Sequence, residues 1–342
     1  MTKDEEVGMK SKLHFLVIGI GSIGERHIKN LKSLGVDVSV YDKYVDIFRP
    51  DVSLPKLTPQ LTTMDRIIQL YDVNFANPEN YFNEYDAFVI CTPPSTHTEY
   101  IVLGMQHYSH IFVEKPISDK LEYLDWVAQT SRNKELVVQV GYQLRFHPGL
   151  RLVKKLLDEG RIGKLLSIKA EFGQYLPDWV PSRDYRKSYT ANLGVILDAS
   201  HEIDYVRWLA GSEVKQVSCF ADKISSLEID AEDTAEINLK FENGVIGNIH
   251  ADMTNRIYTR CCKLIGTEST LFFNYNVSAL LLGQNEMINF DVSDPYLEEM
   301  KHFISCIENK EKPLIDTLVG EKVLEIALAA KESSKENRVV EL

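Results

Sequence analysis

Positive charge is scarce relative to negative in this 342-residue chain, with 38 lysines and arginines against 50 aspartates and glutamates and a net charge of −12. Such a chain repels a phosphate backbone instead of collecting one, which argues against nucleic acid as a partner. Cysteine is also sparse. Cys91, Cys219, Cys261, Cys262 and Cys306 show neither metal-ligand spacing nor an even disulfide framework, and two of them are sequence neighbours. They read as buried thiols in a reducing cytoplasm, with no metal site. Long apolar runs are missing too: the run over 15–20 is far too short for a membrane span or an export signal, and the first ten residues are rich in charge. Neither export nor membrane anchoring is expected. Internal repeats and low-complexity segments are lacking as well. What remains is a 44% apolar composition, ample for a buried core in each of two domains.

Phe15-Leu16-Val17-Ile18 is a continuous apolar run that meets Gly19, as a strand buried on both faces of a parallel sheet does. Ile23, Ile28, Leu31 and Leu34 then recur at near-helical intervals, and Gly35 stops the pattern. A second strand alternates over 36–41. After a polar stretch holding Pro50, Pro55 and Pro59, a helix is expected over 61–70 and a shorter piece over 78–82, before a buried strand over 87–90. Helix 99–107, strand 111–113, helix 121–132 and strand 136–140 continue an alternation that implies parallel strands with helical crossovers. This predicts a first domain over 12–141.

Beyond it, over 142–342, the pattern changes. A helix over 149–159, a strand over 165–172, a Pro/Trp/Tyr-rich loop over 175–189 and a helix starting near Asp198 come first. Strand-like runs follow at 214–220, 235–241, 245–251, 262–265 and 270–273, with Glu242-Asn243-Gly244 a hairpin turn between two of them. The region reads as an α+β domain with a large, mostly antiparallel open sheet and helices on one face. Helices are expected over 297–307 and 318–332, with a charged, frayed tail from Glu332.

Gly19-Ile20-Gly21-Ser22-Ile23-Gly24 fits the pattern G-x-G-x-x-G. The missing side chains permit a tight turn, approach of a pyrophosphate and close helix–strand packing. The setting between a predicted strand and a predicted helix is the one dinucleotide binding needs, because the helix N-terminus aims unpaired amides at the phosphates. Asp42 lies at the expected end of the second strand, where a carboxylate accepts hydrogen bonds from a ribose diol; this favours NAD over NADP. Lys43 next to it suits a 2′-phosphate, and Asp42 also fits as a plain turn former.

Cys91-Thr92-Pro93-Pro94 with His97, and Glu114-Lys115-Pro116, each follow a predicted strand and so lie at the edge of the sheet where ligands bind. Together with the glycine loop and Asp198-Ala199-Ser200-His201, they make the chain resemble the Gfo/Idh/MocA family of oxidoreductases over nearly its whole length. The resemblance implies a Rossmann domain, a doubly wound parallel sheet, followed by an α/β domain on a large antiparallel sheet. It also implies hydride transfer between a nicotinamide and a secondary alcohol or ketone of a sugar, activated sugar or polyol. Thr92, Pro93, His97, Glu114 and Lys115 would line the cofactor, with Lys115 beside both nicotinamide and substrate. Alcohol oxidation needs a group that withdraws the hydroxyl proton and a cation that stabilises the developing negative oxygen. His201 suits the first role because imidazole titrates near neutral pH, and Asp198, three residues earlier on one helical face, can orient it. Here Asn192-Leu193-Gly194 stands where relatives carry a glycine triplet, and the Asp198–His201 spacing is one residue short. In the alternative reading Asp198 is an N-cap and His201 a packing residue.

For substrate, Tyr142 and Arg145 leave the last strand of the first domain at the ligand edge; Arg145 suits hydroxyls or phosphate, or equally an interdomain salt bridge. Trp179, Arg183 and Tyr185 mix aromatic faces with a guanidinium, as for stacking on a sugar or for a subunit interface. A homo-oligomer, dimer or tetramer, through the second sheet is expected. Two other functions fit the same motifs: a non-catalytic dinucleotide or sugar sensor, and an enzyme that exchanges hydride between sugars on a tightly held cofactor.

Overall fold

The computed structural model describes residues 12–43, 67, 69–75, 84–179, 185–187, 189 and 193–342. The first sheet has six parallel strands, β1 (His14–Ile18), β2 (Asp37–Tyr41), β3 (Asn74–Phe75), β4 (Ala87–Ile90), β5 (His110–Glu114) and β6 (Val138–Gly141), in the order β3-β2-β1-β4-β5-β6. Continuous apolar runs make its centre: Phe15 to Ile18 and Ala87 to Ile90 are wholly buried. The order reverses between β1 and its two neighbours, so a crevice opens past the C-terminal ends of β1 and β4, where doubly wound sheets bind ligands.

The second sheet has nine strands: β7 (Leu165–Tyr175), β8 (Val214–Asp222), β9 (Thr234–Phe241), β10 (Ile246–Asp252), β11 (Thr254–Gly266), β12 (Thr270–Asn274), β13 (Ala279–Leu282), β14 (Glu286–Asn289) and β15 (Val340–Glu341). All neighbours run antiparallel except β7 with β10. Along β9, Ala235, Ile237, Leu239 and Phe241 are buried while Glu236, Asn238 and Lys240 are exposed, the period-2 signature of a sheet covered on one face. Helices Ser200–Ala210 and Thr317–Glu336 cover that face. The expected hairpin forms at 242–244, with Gly244 at φ +88°.

Several elements differ from expectation. The 262–265 run is the end of a thirteen-residue strand, β11. β13 and β14, four residues each, went unread because such short segments carry too little alternation. The tail is not frayed: helix Thr317–Glu336 runs on past Glu332, and Val340–Glu341 pairs with β8. The piece over 78–82 and much of the 61–70 helix lie outside the described residues; 67 and 69–71 are helical.

Helix Pro295–Asn309 returns to the first sheet. Its Phe303 ring sits 5.8 Å from Phe15 and 5.7 Å from Phe112, both edge-on, and Met300 and Cys306 beside it are fully buried. The helix therefore covers the parallel sheet although it is distant in sequence. Phe303→Ala should cost about 3–5 kcal/mol, the usual loss for a buried aromatic. Urea unfolding measures it, and a loss below about 1 kcal/mol would mean that the helix contributes little to the first domain's core.

Candidate active site

The glycine loop is built by steric necessity. Gly19 has φ +89°, and a Cβ there would lie 2.9 Å from the Cys91 carbonyl carbon and oxygen. A Cβ on Gly24 would lie 1.9 Å from the Gly19 oxygen, so only glycine lets helix Ser22–Ser33 close onto β1. Gly21 is the N-cap and no side chain caps the helix, which leaves its first amides for an anion. Ser22 is exposed and Ile23 half-buried on that first turn. At the end of β2, Asp42 accepts a hydrogen bond from Ile20 N through Oδ2 at 2.9 Å, which holds its carboxylate beside the loop. A dinucleotide fits these residues: the 19–24 loop for its pyrophosphate and Asp42 for a ribose diol.

Two more strand ends meet the loop. Thr92 and Pro93 follow β4, and Lys115 follows β5, with the Lys115–Pro116 peptide cis. His97 does not open to the crevice. It is fully buried, with Nε2 2.7 Å from the Thr92 oxygen and Nδ1 2.9 Å from the Pro116 oxygen, so it ties the two loops together from behind. Glu114 is likewise turned inward: Oε1 lies 2.7 Å from His27 Nε2 on the glycine-loop helix, and Oε2 accepts from Lys115 N at 3.3 Å.

Lys115 Nζ reaches the second domain. It donates to Asp198 Oδ1 and to the Asp198 carbonyl oxygen, both at 2.9 Å. That carbonyl is free because the helix breaks: Val195–Asp198 ends there, Glu202 N turns to the Ala199 oxygen, and Ser200–Ala210 begins anew. Asp198 and His201 therefore do not share one helical face, and the expected orienting bond is absent. Asp198 Oδ2 instead accepts from Tyr189 Oη at 2.9 Å, while the Nδ1 of His201 is buried with no partner. Burial alone would raise the Asp198 carboxyl, but the Lys115 ammonium, then Tyr189 and Arg260, outweigh it and hold it below its usual range. His201 is 5% exposed, and burial, then Lys115 and Arg260, hold its imidazole well below the usual histidine range.

Residues 13–142 match the oxidoreductase family with an NAD-binding Rossmann fold, and residues 150–272 match the GFO/IDH/MocA C-terminal domain. The chain belongs to the Gfo/Idh/MocA family of oxidoreductases. It is 28% identical to the myo-inositol 2-dehydrogenase of Thermotoga maritima over 95% of this chain and 97% of that one. It is 27% identical to the scyllo-inositol 2-dehydrogenase (NAD(+)) of Bacillus subtilis, over 75% of this chain and 78% of that one. In fold it resembles the WlbA dehydrogenase of Bordetella pertussis, solved with NADH and UDP-GlcNAcA, with a TM-score of 0.79 at 20% identity over 97% of this chain and 99% of that one.

Within this Gfo/Idh/MocA framework the expected substrate residues divide. Tyr142 is fully buried, its ring 5.6 Å from and edge-on to His201, which packs it against that imidazole. Arg145 is not available to a substrate: its guanidinium pairs with both oxygens of Asp204 at 2.7 and 2.8 Å, buried, which braces the exit of β6 against the His201 helix. Trp179 is 56% exposed at the end of helix Leu176–Trp179, Tyr185 is half-buried, and Arg183 lies outside the described residues. Sequence reasoning missed Tyr189 and the pair Arg260 and Glu202, whose Nε and Oε1 are 2.9 Å apart. Tyr189 stood in the loop already noted for its aromatics.

A general base must be unprotonated to take a proton. If His201 is the base, its depressed imidazole puts the corresponding limb of kcat/KM on the acid side of the ordinary histidine range, with base function intact at neutral pH and lost only as pH falls through the lowered value. His201→Gln should lower kcat/KM by about 10²-fold or more across neutral pH. A wild-type limb centred near the ordinary histidine pKa would contradict this assignment.

Proposed function

We propose that the chain catalyses reversible hydride transfer between a nicotinamide dinucleotide and a secondary alcohol or ketone of a polyol, sugar or activated sugar. The observation that carries the reading is the meeting of Lys115 with Asp198 beside an uncharged His201, at the sheet edge where the dinucleotide residues gather. The cofactor, when bound, supplies the hydride acceptor or donor. The protein handles the proton and the charge. Lys115 has three N–H donors, two of which go to Asp198; the third suits the alcohol oxygen and stabilises negative charge as it develops there. His201 takes the hydroxyl proton, or returns it in the reductive direction. Asp198 balances the lysine's charge and fixes its direction.

Relatives named for myo- and scyllo-inositol, and a fold neighbour holding a UDP-sugar, make cyclic polyols and activated sugars the classes to try first. Asp42, held at the glycine loop, supports NAD over NADP, with exposed Lys43 the residue that would favour the phosphorylated form. Five unpaired cysteines agree with a cytoplasmic setting, and no helix among the described residues is long and apolar enough to cross a membrane. The open face of the second sheet supports a homo-oligomer. Phe220, Ile246 and Phe272, 76%, 48% and 36% exposed, share it with Glu236, Glu171, Lys240 and Lys263, the mixture of apolar and oppositely charged groups that a self-complementary contact uses.

A panel of inositols, free sugars, sugar phosphates and nucleotide sugars, followed by nicotinamide absorbance with NAD and NADP in parallel, should find a substrate and a lower KM for NAD. Lys115→Ala should lower its turnover by at least about 10²-fold while NAD binding, measured by calorimetry, stays close to normal. Turnover retained in that variant would sink the reading. Sedimentation velocity should show a species larger than one chain, reduced to one chain by Phe220→Lys with Phe272→Lys; a wild-type monomer would refute the oligomer.

A further inference from the structure

A carboxylate gripped at one oxygen can swing about its side-chain bond; one gripped at both cannot. Asp198 is gripped at both. Lys115 Nζ holds Oδ1 at 2.9 Å and Tyr189 Oη holds Oδ2 at 2.9 Å. Tyr189 is only 4% exposed, and its backbone N donates to the Tyr185 oxygen at 3.3 Å. Burial, together with the neighbouring Asp198 charge, pushes its phenol well above the usual tyrosine range, so it stays a donor at every working pH. The other charged or titratable groups that act on the carboxylate are Lys115 from the end of β5, Arg260 from β11 and Glu202 from helix Ser200–Ala210. None of these duplicates the bond to Oδ2.

We propose that Tyr189 is a positioning residue of the hydride-transfer site: by holding Oδ2 it keeps Oδ1 on Lys115, and so directs the remaining N–H of Lys115 to the substrate oxygen. It touches neither substrate nor cofactor and acts through Asp198. The proposal rests on the reading of Lys115 as the group at the reacting oxygen.

The test compares the wild type, Tyr189→Phe, Asp198→Asn and the double variant. Its first readout needs no substrate: thermal unfolding from about pH 3 to about pH 8. Asp198 has a folded-state pKa below its ordinary value, so its contribution to stability is present above the unfolded pKa and is lost as pH falls through the folded one. Removing the Tyr189 bond moves the folded pKa up towards ordinary. The stability gap between wild type and Tyr189→Phe should therefore be widest above about pH 5 and narrow towards pH 3, and this pH dependence should vanish on the Asp198→Asn background. The second readout is the steady-state rate with NAD on the panel's best substrate, myo-inositol being the first probe. Tyr189→Phe should lower kcat about tenfold, leave the KM for NAD unchanged, and add no further loss to Asp198→Asn.

A stability loss of the same size at every pH and on both backgrounds would make Tyr189 a packing residue and overturn the proposal. So would an unchanged kcat, or effects of Tyr189→Phe and Asp198→Asn that simply add. Lys115→Ala separates the two levels. If it is inactive while Tyr189→Phe behaves as wild type, the Tyr189 proposal alone falls; if it retains turnover, both fall.

Discussion

The ion pair between Lys115 and Asp198 is the contact on which the site's arrangement depends. It joins the end of β5 in the parallel sheet to a helix of the second domain, and both side chains are less than one-fifth exposed. Partly desolvated charges of this kind are costly to separate, because either one left alone faces a medium that solvates it poorly. The pair also explains a break that local sequence does not. Val195 to Ala210 contains neither proline nor glycine, yet the helical ladder is interrupted after Asp198, whose carbonyl is taken by the lysine. A side chain inserted into the i→i−4 ladder is a recognised cause of such an interruption. Past the break Asp198 is bonded to Lys115 and Tyr189, while the Nδ1 of His201 is left without a partner.

Behind the crevice, buried polar contacts fix the loops that carry Lys115. His97 ties the loop after β4 to the Pro116 carbonyl, and Glu114 ties the base of Lys115 to His27 on the glycine-loop helix. Both were expected at the cofactor; in the fold each is buried and bonded to protein groups. The cofactor loop, the lysine and the β4 exit are thus braced against one another by three short polar links, where loops of the same length held by apolar contact alone would have a choice of positions.

Much of this was legible because it depends on local pattern. The apolar runs of β1, β4 and β5 and the spacing of Gly19, Gly21 and Gly24 are dictated by burial and by atomic collision, which a sequence displays directly. Lys115 and His201 were singled out by residue type and by family resemblance. Partner choice was not. Arg145 was read as a fork for hydroxyls or phosphate or equally for a salt bridge; it forms a salt bridge, but sequence did not name the carboxylate, Asp204, 59 residues away. Tyr189 belongs to no periodic segment, and its significance comes only from where Asp198 points. Helix Pro295–Asn309 was legible as a helix, while its packing on Phe15 and Phe112 was not, since an amphipathic face does not name the sheet that will cover it.

The low pKa of His201 looks at first like a handicap in the base proposed for the proton transfer. It follows from burial, with the Lys115 and Arg260 charges adding to it. The same lysine charge, placed near an alcohol oxygen, favours the alkoxide over the alcohol. One cation therefore lowers the proton affinity of donor and acceptor together, and the difference between them, which sets the driving force for transfer, changes less than either value alone. Asp198 limits how far this goes: with its carboxylate 2.9 Å from Nζ, a more distant group feels a dipole in place of a bare charge, and a dipole's influence falls off faster with distance. A substrate oxygen taking the third N–H of Lys115 sits close enough to feel the lysine strongly, while for His201 and Glu202 in the second domain the lysine's charge is a smaller influence than burial. In the proposed mechanism the orientation of the Asp198 carboxylate sets where the remaining N–H of Lys115 is aimed, and on that reading a tyrosine that only holds a carboxylate oxygen bears on the chemistry.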